Sequence, residues 1–343
     1  MSRYVVTGCA GFIGSHLAHD LLERGDDVVG IDSFTDYYPR SLKESNAARA
    51  SGRPGFSLRE VDLVEAELEP LLDGVDGVFH LAAQPGVRGS WGDGFGVYLR
   101  DNVLATQRLF QAISGAGIRV VMASTSSIYG NAERYPTRED ISLSPISPYG
   151  VTKLACERLA QCYAECFGLN AVALRYFTVY GPSQRPDMAF ARITAALVKG
   201  ESFTVYGTGE QSRDFTYVGD AVSATIAAME HAAAGRVYNV GGGSEASLRA
   251  VIAIFEHLSS RTLDVRYTEA AAGDVRRTAA DTTRIRSEVG WEPKTSLEAG
   301  LAAQLADAFE RAGDDAGRAS LLEMLSPGEN NAATGQPRRS PAE

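Results

Sequence analysis

Thr7-Gly8-Cys9-Ala10-Gly11-Phe12-Ile13-Gly14 follows a short β-branched run over 4–7 and leads directly into a periodic apolar stretch over 12–24. A strand that passes into a helix through glycines spaced three apart has a specific physical use. Gly8 permits the tight turn, Gly11 lets backbone approach a bound group, and Gly14 allows the helix to pack close to the strand. The free N–H groups of the helix's first turn then face an anion, as in a dinucleotide pyrophosphate site. A glycine turn can also be only a turn, so its surroundings decide. Asp32 ends the next strand, 24 residues beyond Gly8. An acid there accepts the adenosine ribose hydroxyls and repels a 2′-phosphate, which favours NAD over NADP.

Outward from this loop, strands are expected over 27–31, 56–61, 77–81, 119–123 and 170–175, with helices over 103–114 and 149–167 between them. Strands separated by helices imply an α/β fold with a Rossmann-like, doubly wound parallel sheet. After Tyr176 the rhythm breaks at Tyr180-Gly181-Pro182, Tyr206-Gly207-Thr208-Gly209 and Val240-Gly241-Gly242-Gly243. We expect an NAD-binding domain over 1–175 plus about 213–240, with a helix over 221–231 returning to it, and a smaller substrate lobe over 176–212 plus 241–322. Residues 326–343 lack any apolar period and read as a disordered tail.

The net charge of −10, with no basic block, argues against nucleic acid as a partner. No apolar run long enough to span a bilayer and no signal-peptide pattern occur, so a cytoplasmic protein without membrane contact is expected. Cys9, Cys156, Cys162 and Cys166 lack metal-ligand spacing and read as reduced thiols, and the histidines are scattered, so no metal is expected.

Tyr149 and Lys153 stand in Y-G-V-T-K, four apart at the start of a helix, and so share a face. A lysine ammonium near a phenol favours the phenolate and lowers a pKa that is ordinarily about 10. Such a base takes a hydroxyl proton while the same carbon is oxidised. Alone, the pair fits an exposed surface equally well; with the glycine loop it reads as a proton relay.

Together these segments are identified as belonging to an extended short-chain dehydrogenase/reductase of the NAD-dependent sugar epimerase/dehydratase family. T-G-x-x-G-F-I-G, Asp32, H-L-A-A-Q, S-T-S-S-I-Y-G, Y-G-V-T-K, R-Y-F-T-V-Y-G-P and R-D-F-T-Y-V occur in the family's order, across about residues 3–312. The resemblance implies a tightly held NAD, a nucleoside diphosphate sugar between the lobes, and a homodimer through the helices over 103–114 and 149–167, with Cys156, Leu159 and Cys162 in an apolar bundle. It assigns to the cofactor Gly8, Gly11, Phe12, Ile13, Gly14, Asp32, Lys43, Asp62, Leu63, Leu81, Ala82, Ala83, Gln84, Asn102, Tyr149, Lys153 and Tyr176. Its third catalytic position falls on Thr125, whose hydroxyl would relay to the oxygen on sugar carbon 4. Dehydrating members carry Asp-Glu in the next two positions and decarboxylating members a Glu, whereas this chain has Ser126 and Ser127. Simple 4-epimerisation, an isomerase reaction, is the better match.

Thr178 replaces the Asn common in UDP-glucose 4-epimerases. With Arg185-Pro186-Asp187-Met188, Gln84-Pro85-Gly86-Val87-Arg88 and Asp36-Tyr37-Tyr38, the chain is most similar to UDP-glucuronate 4-epimerases. Arg185 offers the planar fork that a sugar carboxylate requires, with Thr178, Ser126 and Ser127 as further donors. For the UDP end the resemblance points to Arg213 at the diphosphate and Asp274 at a ribose; Tyr206 is a candidate neighbour of the uracil, and Arg88 a further substrate-binding candidate. Ala271-Ala272 stands where many relatives have Arg-Pro, which leaves Arg276 to substitute. A UDP-glucose 4-epimerase, a UDP-glucuronate decarboxylase and a non-catalytic NAD-binding regulator are the alternatives.

Overall fold

In the computed structural model, residues 1–269 and 273–325 are described; the tail expected over 326–343, and Ala271-Ala272, lie outside them. The strands are β1 (Arg3–Thr7), β2 (Asp27–Asp32), β3 (Phe56–Glu60), β4 (Gly77–His80), β5 (Arg119–Thr125), β6 (Ala171–Tyr176), β7 (Thr178–Tyr180), β8 (Phe203–Tyr206), β9 (Ser212–Tyr217), β10 (Val237–Val240), β11 (Glu245–Ser247) and β12 (Val265–Thr268). Seven of them form one sheet in the order β10-β6-β5-β4-β1-β2-β3, parallel throughout. The Rossmann-like doubly wound sheet read from the sequence is therefore present.

Because side chains alternate across a strand, neighbouring residues enter different cores. Val6, Phe79, Val121 and Val172 pack with the helices Phe12–Glu23 and Val218–His231. Val5, Val78, Val120 and Ala171 pack on the other face, with Ala105–Ile113 and Pro148–Phe167. A sheet buried on both faces uses apolar residues without alternation, which is why its strands read as continuous runs.

The helix Pro148–Phe167 is punctuated at both ends by its sequence. Ser147 Oγ accepts the Gly150 N–H, Pro148 occupies the first turn, and Gly168 closes it at φ +68°. One expectation about it is corrected. Cys156 faces the chain's own core, fully buried with its Sγ on the Asn102 carbonyl, and Leu159 packs against that same core; only Cys162 of the three is exposed. Exposed apolar residues on this helix and on the stretch 95–113 include Val97, Leu99, Leu104, Val151 and Phe167.

Other boundaries shift. The helix expected from 103 starts at Phe95 and runs through a wider π-type stretch, Leu99–Leu104, into Ala105–Ile113. Gly92, Gly94 and Gly96 hide that start. Arg40–Ala48 forms a helix that buries only Lys43, Asn46 and Ala47, too few for an apolar period. β9 joins a three-stranded sheet, β11-β9-β7, so the chain re-enters the larger layer at Val218 rather than near 213. That small sheet, the β8–β12 pair and the helices Ala189–Lys199, Leu248–Ser259 and Leu297–Ala312 share a third core around Phe190, Phe255 and Phe309.

The glycine loop is tightly packed. Gly8 has φ +72°, and a Cβ there would lie 2.8 Å from the Ala82 nitrogen. A Cβ on Gly14 would lie 2.1 Å from the Gly8 carbonyl oxygen, a backbone atom that cannot turn aside. Gly14→Ala should therefore lift the helix Phe12–Glu23 off β1 and cost about 1–3 kcal/mol. Urea unfolding with an unchanged midpoint would show that the loop tolerates the methyl group.

Candidate active site

At the carboxyl edge of the large sheet lies a cavity of about 390 Å³. Its wall takes in Gly8, Gly11, Phe12, Ile13, Gly14, Asp32, Lys43, Asp62, Leu63, Leu81, Ala82, Ala83, Gln84, Tyr149, Lys153 and Tyr176. Asp32 is already oriented: Oδ2 accepts the Ala10 N–H at 3.0 Å and Oδ1 the Phe34 N–H at 2.8 Å. Burial raises its carboxyl above the ordinary value, opposed by the Phe34 bond and the Lys43 charge. Lys43 donates to Thr35 Oγ1 at 2.9 Å. Asp62 caps the Val64 N–H at 2.8 Å and accepts Arg100 at 2.7 Å. Asn102 stands behind the wall rather than on it. Its side chain accepts the Gln84 N–H at 2.7 Å and donates to Thr152 Oγ1 at 3.1 Å, tying the β4 loop to the helix Pro148–Phe167.

A buried hydroxyl and imidazole support the floor. Thr7 Oγ1 accepts both the Leu81 and Ala82 N–H groups, so its proton goes to His80 Nδ1. His80 Nε2 then donates to Thr106 Oγ1 at 3.0 Å, and burial lowers this imidazole to about 3. It is neutral at working pH.

Thr125 ends β5, and Tyr149 lies at the start of the facing helix with Lys153 one turn on. Thr125 Oγ1 accepts the Ser127 N–H at 3.2 Å, and its side chain also hydrogen-bonds Tyr149. Tyr98 packs edge-on to Tyr149, centroids 6.2 Å apart, while its hydroxyl holds the Pro85 and Gly86 carbonyls. In the protein alone burial raises the Tyr149 phenol above its ordinary value; the Arg185 charge is the foremost effect pulling it down, followed by Thr125. Lys153 is itself lowered by burial, with Cys156 and Glu157 pulling the other way. In the protein alone Arg185 is the cation that pulls the phenol down most.

Arg185 lies on the same wall as Thr125, Ser126, Ser127 and Thr178. Its Nε and Nη2 both donate to Asp187, at 3.0 Å each, and Tyr37 OH reaches the same carboxylate at 3.3 Å. The loop carrying it is clamped. Gly181 N donates to Gln304, Ser183 N to Asp307, and Arg311 to Ser183 Oγ, all from the helix Leu297–Ala312. His16 Nε2 bonds the Pro182 carbonyl at 2.9 Å from the opposite side. Ser183 sits at φ +63°, held there by these partners.

The remaining substrate candidates form a second group, outside the lining of the cavity. Arg88 pairs with Asp274 at 3.2 Å and lies 4.0 Å over the Tyr206 ring. The Asp274 charge acts on Arg213, which bonds the Ser212 and Arg276 carbonyls. The Arg276 side chain is exposed. Tyr37 and Tyr38 are among the wall residues to which the sequence reading assigned no role. Asp187 was equally unassigned; an acid two places from Arg185 in a proline-bounded loop was the available signal.

Comparison with known proteins agrees with this geometry. Residues 4–241 match the model of the NAD dependent epimerase/dehydratase family. Over 307 residues the chain is 43% identical to the uncharacterized UDP-glucose epimerase YtcB of Bacillus subtilis, covering 89% of this chain and 97% of that one. It is 35% identical to the UDP-glucuronate 4-epimerase of Thermodesulfobacterium geofontis, covering 88% and 94%. The crystal structure of UDP-glucuronic acid 4-epimerase from Bacillus cereus, in complex with UDP-glucuronic acid and NAD, superposes with a TM-score of 0.88 at 39% identity, over 90% of this chain and 99% of that one. The chain belongs to the NAD dependent epimerase/dehydratase family.

Proposed function

We propose that this protein interconverts UDP-glucuronate and UDP-galacturonate by transient oxidation at sugar carbon 4. The observation that carries this reading is Arg185, 19% exposed, on the same cavity wall as Tyr149 and Thr125. The alternatives fit less well. A neutral sugar offers no carboxylate to the guanidinium edge that Asp187 leaves free, and eliminating water or removing the carbon-5 proton requires an acid or base where Ser126 and Ser127 stand.

The cavity's residues fit NAD. A side chain on Gly8 or Gly14 would fill the space against Ala82 and the Gly8 carbonyl, and Asp32 presents a carboxylate at the end of β2. Gly8, Gly11 and the following helix start would hold the pyrophosphate, Asp32 the adenosine ribose, and Lys153 and Tyr176 the nicotinamide end. Bound NAD supplies the reversible oxidation at carbon 4.

The chain's own groups do the rest. Tyr149 takes the carbon-4 hydroxyl proton, with Thr125 donating to the same oxygen. The charge of Lys153 and Arg185 favours the phenolate once the reacting sugar is in place. The resulting 4-keto uronate is a β-keto acid, which loses CO2 when its carboxylate stands perpendicular to the ketone. Arg185, with Asp187 on its Nε–Nη2 edge, turns its remaining edge to that carboxylate and, with Thr178 and the serines, holds it out of that orientation. Arg88, Tyr206, Arg213, Asp274 and Arg276 take the UDP end.

We further propose a cytoplasmic homodimer; no helix among the described residues is long and apolar enough to cross a membrane. The exposed Val97, Leu99, Leu104 and Val151 supply the apolar seam between copies.

Purified protein incubated with UDP-glucuronate and no added NAD should yield UDP-galacturonate by NMR; an untouched acidic sugar alongside turnover of UDP-glucose would remove the carboxylate reading. Arg185→Ala should raise KM for the acidic sugar about tenfold or more, or release decarboxylated product. Unchanged kinetics with a clean product would take Arg185 out of the sugar site. Leu104→Glu with Val151→Glu should sediment as a monomer where the parent chain sediments as a dimer; a monomeric parent chain refutes the seam.

A further inference from the structure

The helix face that carries Tyr149 and Lys153 carries a third group one turn on, Glu157, which is only 4% exposed. Its carboxylate accepts Arg175 Nε at 3.0 Å and Nη2 at 2.7 Å, and Ser124 Oγ at 2.5 Å. Arg175 also bonds the Tyr129 hydroxyl at 2.8 Å, and Tyr129 donates to Asn239 Oδ1 at 2.7 Å. One buried carboxylate thus joins the helix Pro148–Phe167 to β5 and β6. A buried ion pair is a poor source of stability, since apolar residues of similar volume usually do as well. Its position suggests another role, because Ser124 immediately precedes Thr125 at the end of β5.

We propose that Glu157 is a positioning residue for the proton relay, fixing the strand end that carries Thr125 against the helix that carries Tyr149, and keeping Lys153 charged. This rests on the relay reading above. The groups around Lys153 are few. Tyr149, Cys156 and Glu157 stand on its own helix, and His80 faces it from β4. His80 is neutral and Cys156 is held protonated by burial, so Glu157 is the standing negative charge beside the amine. Glu157 in turn faces Arg175 from β6, Ser124 from β5 and Tyr129.

Two variants of the full chain separate the roles. Glu157→Gln keeps size and an acceptor but removes the charge; Ser124→Ala removes the tie but keeps the charge. NMR of 13C-labelled lysine reads Lys153 without turnover, because the chain has only Lys43, Lys153, Lys199 and Lys294 to resolve. In Glu157→Gln, Lys153 should titrate about one pH unit lower. The basic limb of the kcat profile should move down with it, for whichever UDP-sugar the parent chain turns over. In Ser124→Ala the lysine titration should stay, while kcat falls about tenfold and KM changes less than about twofold. If the Gln variant does not fold, Glu157→Asp takes its place: charge retained, Lys153 titrating as in the parent, kcat reduced as in Ser124→Ala. An unmoved Lys153 in folded Glu157→Gln, a displaced Lys153 in Glu157→Asp, or parental kcat in Ser124→Ala overturns the proposal. Absence of any UDP-sugar turnover by the parent chain would instead overturn the functional reading, and the lysine titration would still decide this one.

Discussion

Parallel strands cannot be joined by tight turns; each needs a crossover that returns the chain to its starting edge. Every strand of the large sheet therefore finishes on the same side, and this constraint builds the cavity. β1 ends in the glycine loop, β2 in Asp32, β4 in the Leu81–Gln84 stretch, β5 in Thr125 and β6 in Tyr176. Residues far apart in sequence meet along one line because topology leaves them no other place. The close approach of Gly14 to the Gly8 carbonyl then sets how deep the first helix sits over that line.

Within that frame, electrostatics are local. A chain of net charge −10 is a poor attractor of anions at long range, so a negatively charged sugar needs a placed cation. Arg185 is the cation proposed for that role, and it comes with its own acid. Pairing with Asp187 offsets the cost of the half-buried guanidinium and fixes the plane of its fork. The same charge acts on Tyr149, so one side chain bears on both the binding and the acid–base ends of the cavity.

What could be read from the sequence was what depends on neighbours in the chain. The glycine loop, the strand runs and the Tyr149–Lys153 spacing are local patterns with local causes. The start of the helix at Phe95 was hidden by glycines, and the helix Arg40–Ala48 by its polarity. Cys156 was misplaced because apolar residues lie nearly all round its helix, and period alone does not say which face a chain keeps for itself. Asn102 behind the wall, Asp187 against Arg185, and Glu157 with Arg175 are meetings across many residues that no spacing announces.

The segment that matches the family model, residues 4–241, contains every residue on the cavity wall. It contains His16, which holds the loop on which Arg185 sits at the Pro182 carbonyl, but not that loop's other clamps. Gln304, Asp307 and Arg311 reach that loop from more than a hundred positions later in the chain. Ordered as a ribosome makes it, the wall is synthesised first, and the loop carrying Arg185 gains its ties to Gln304, Asp307 and Arg311 when the helix Leu297–Ala312 follows.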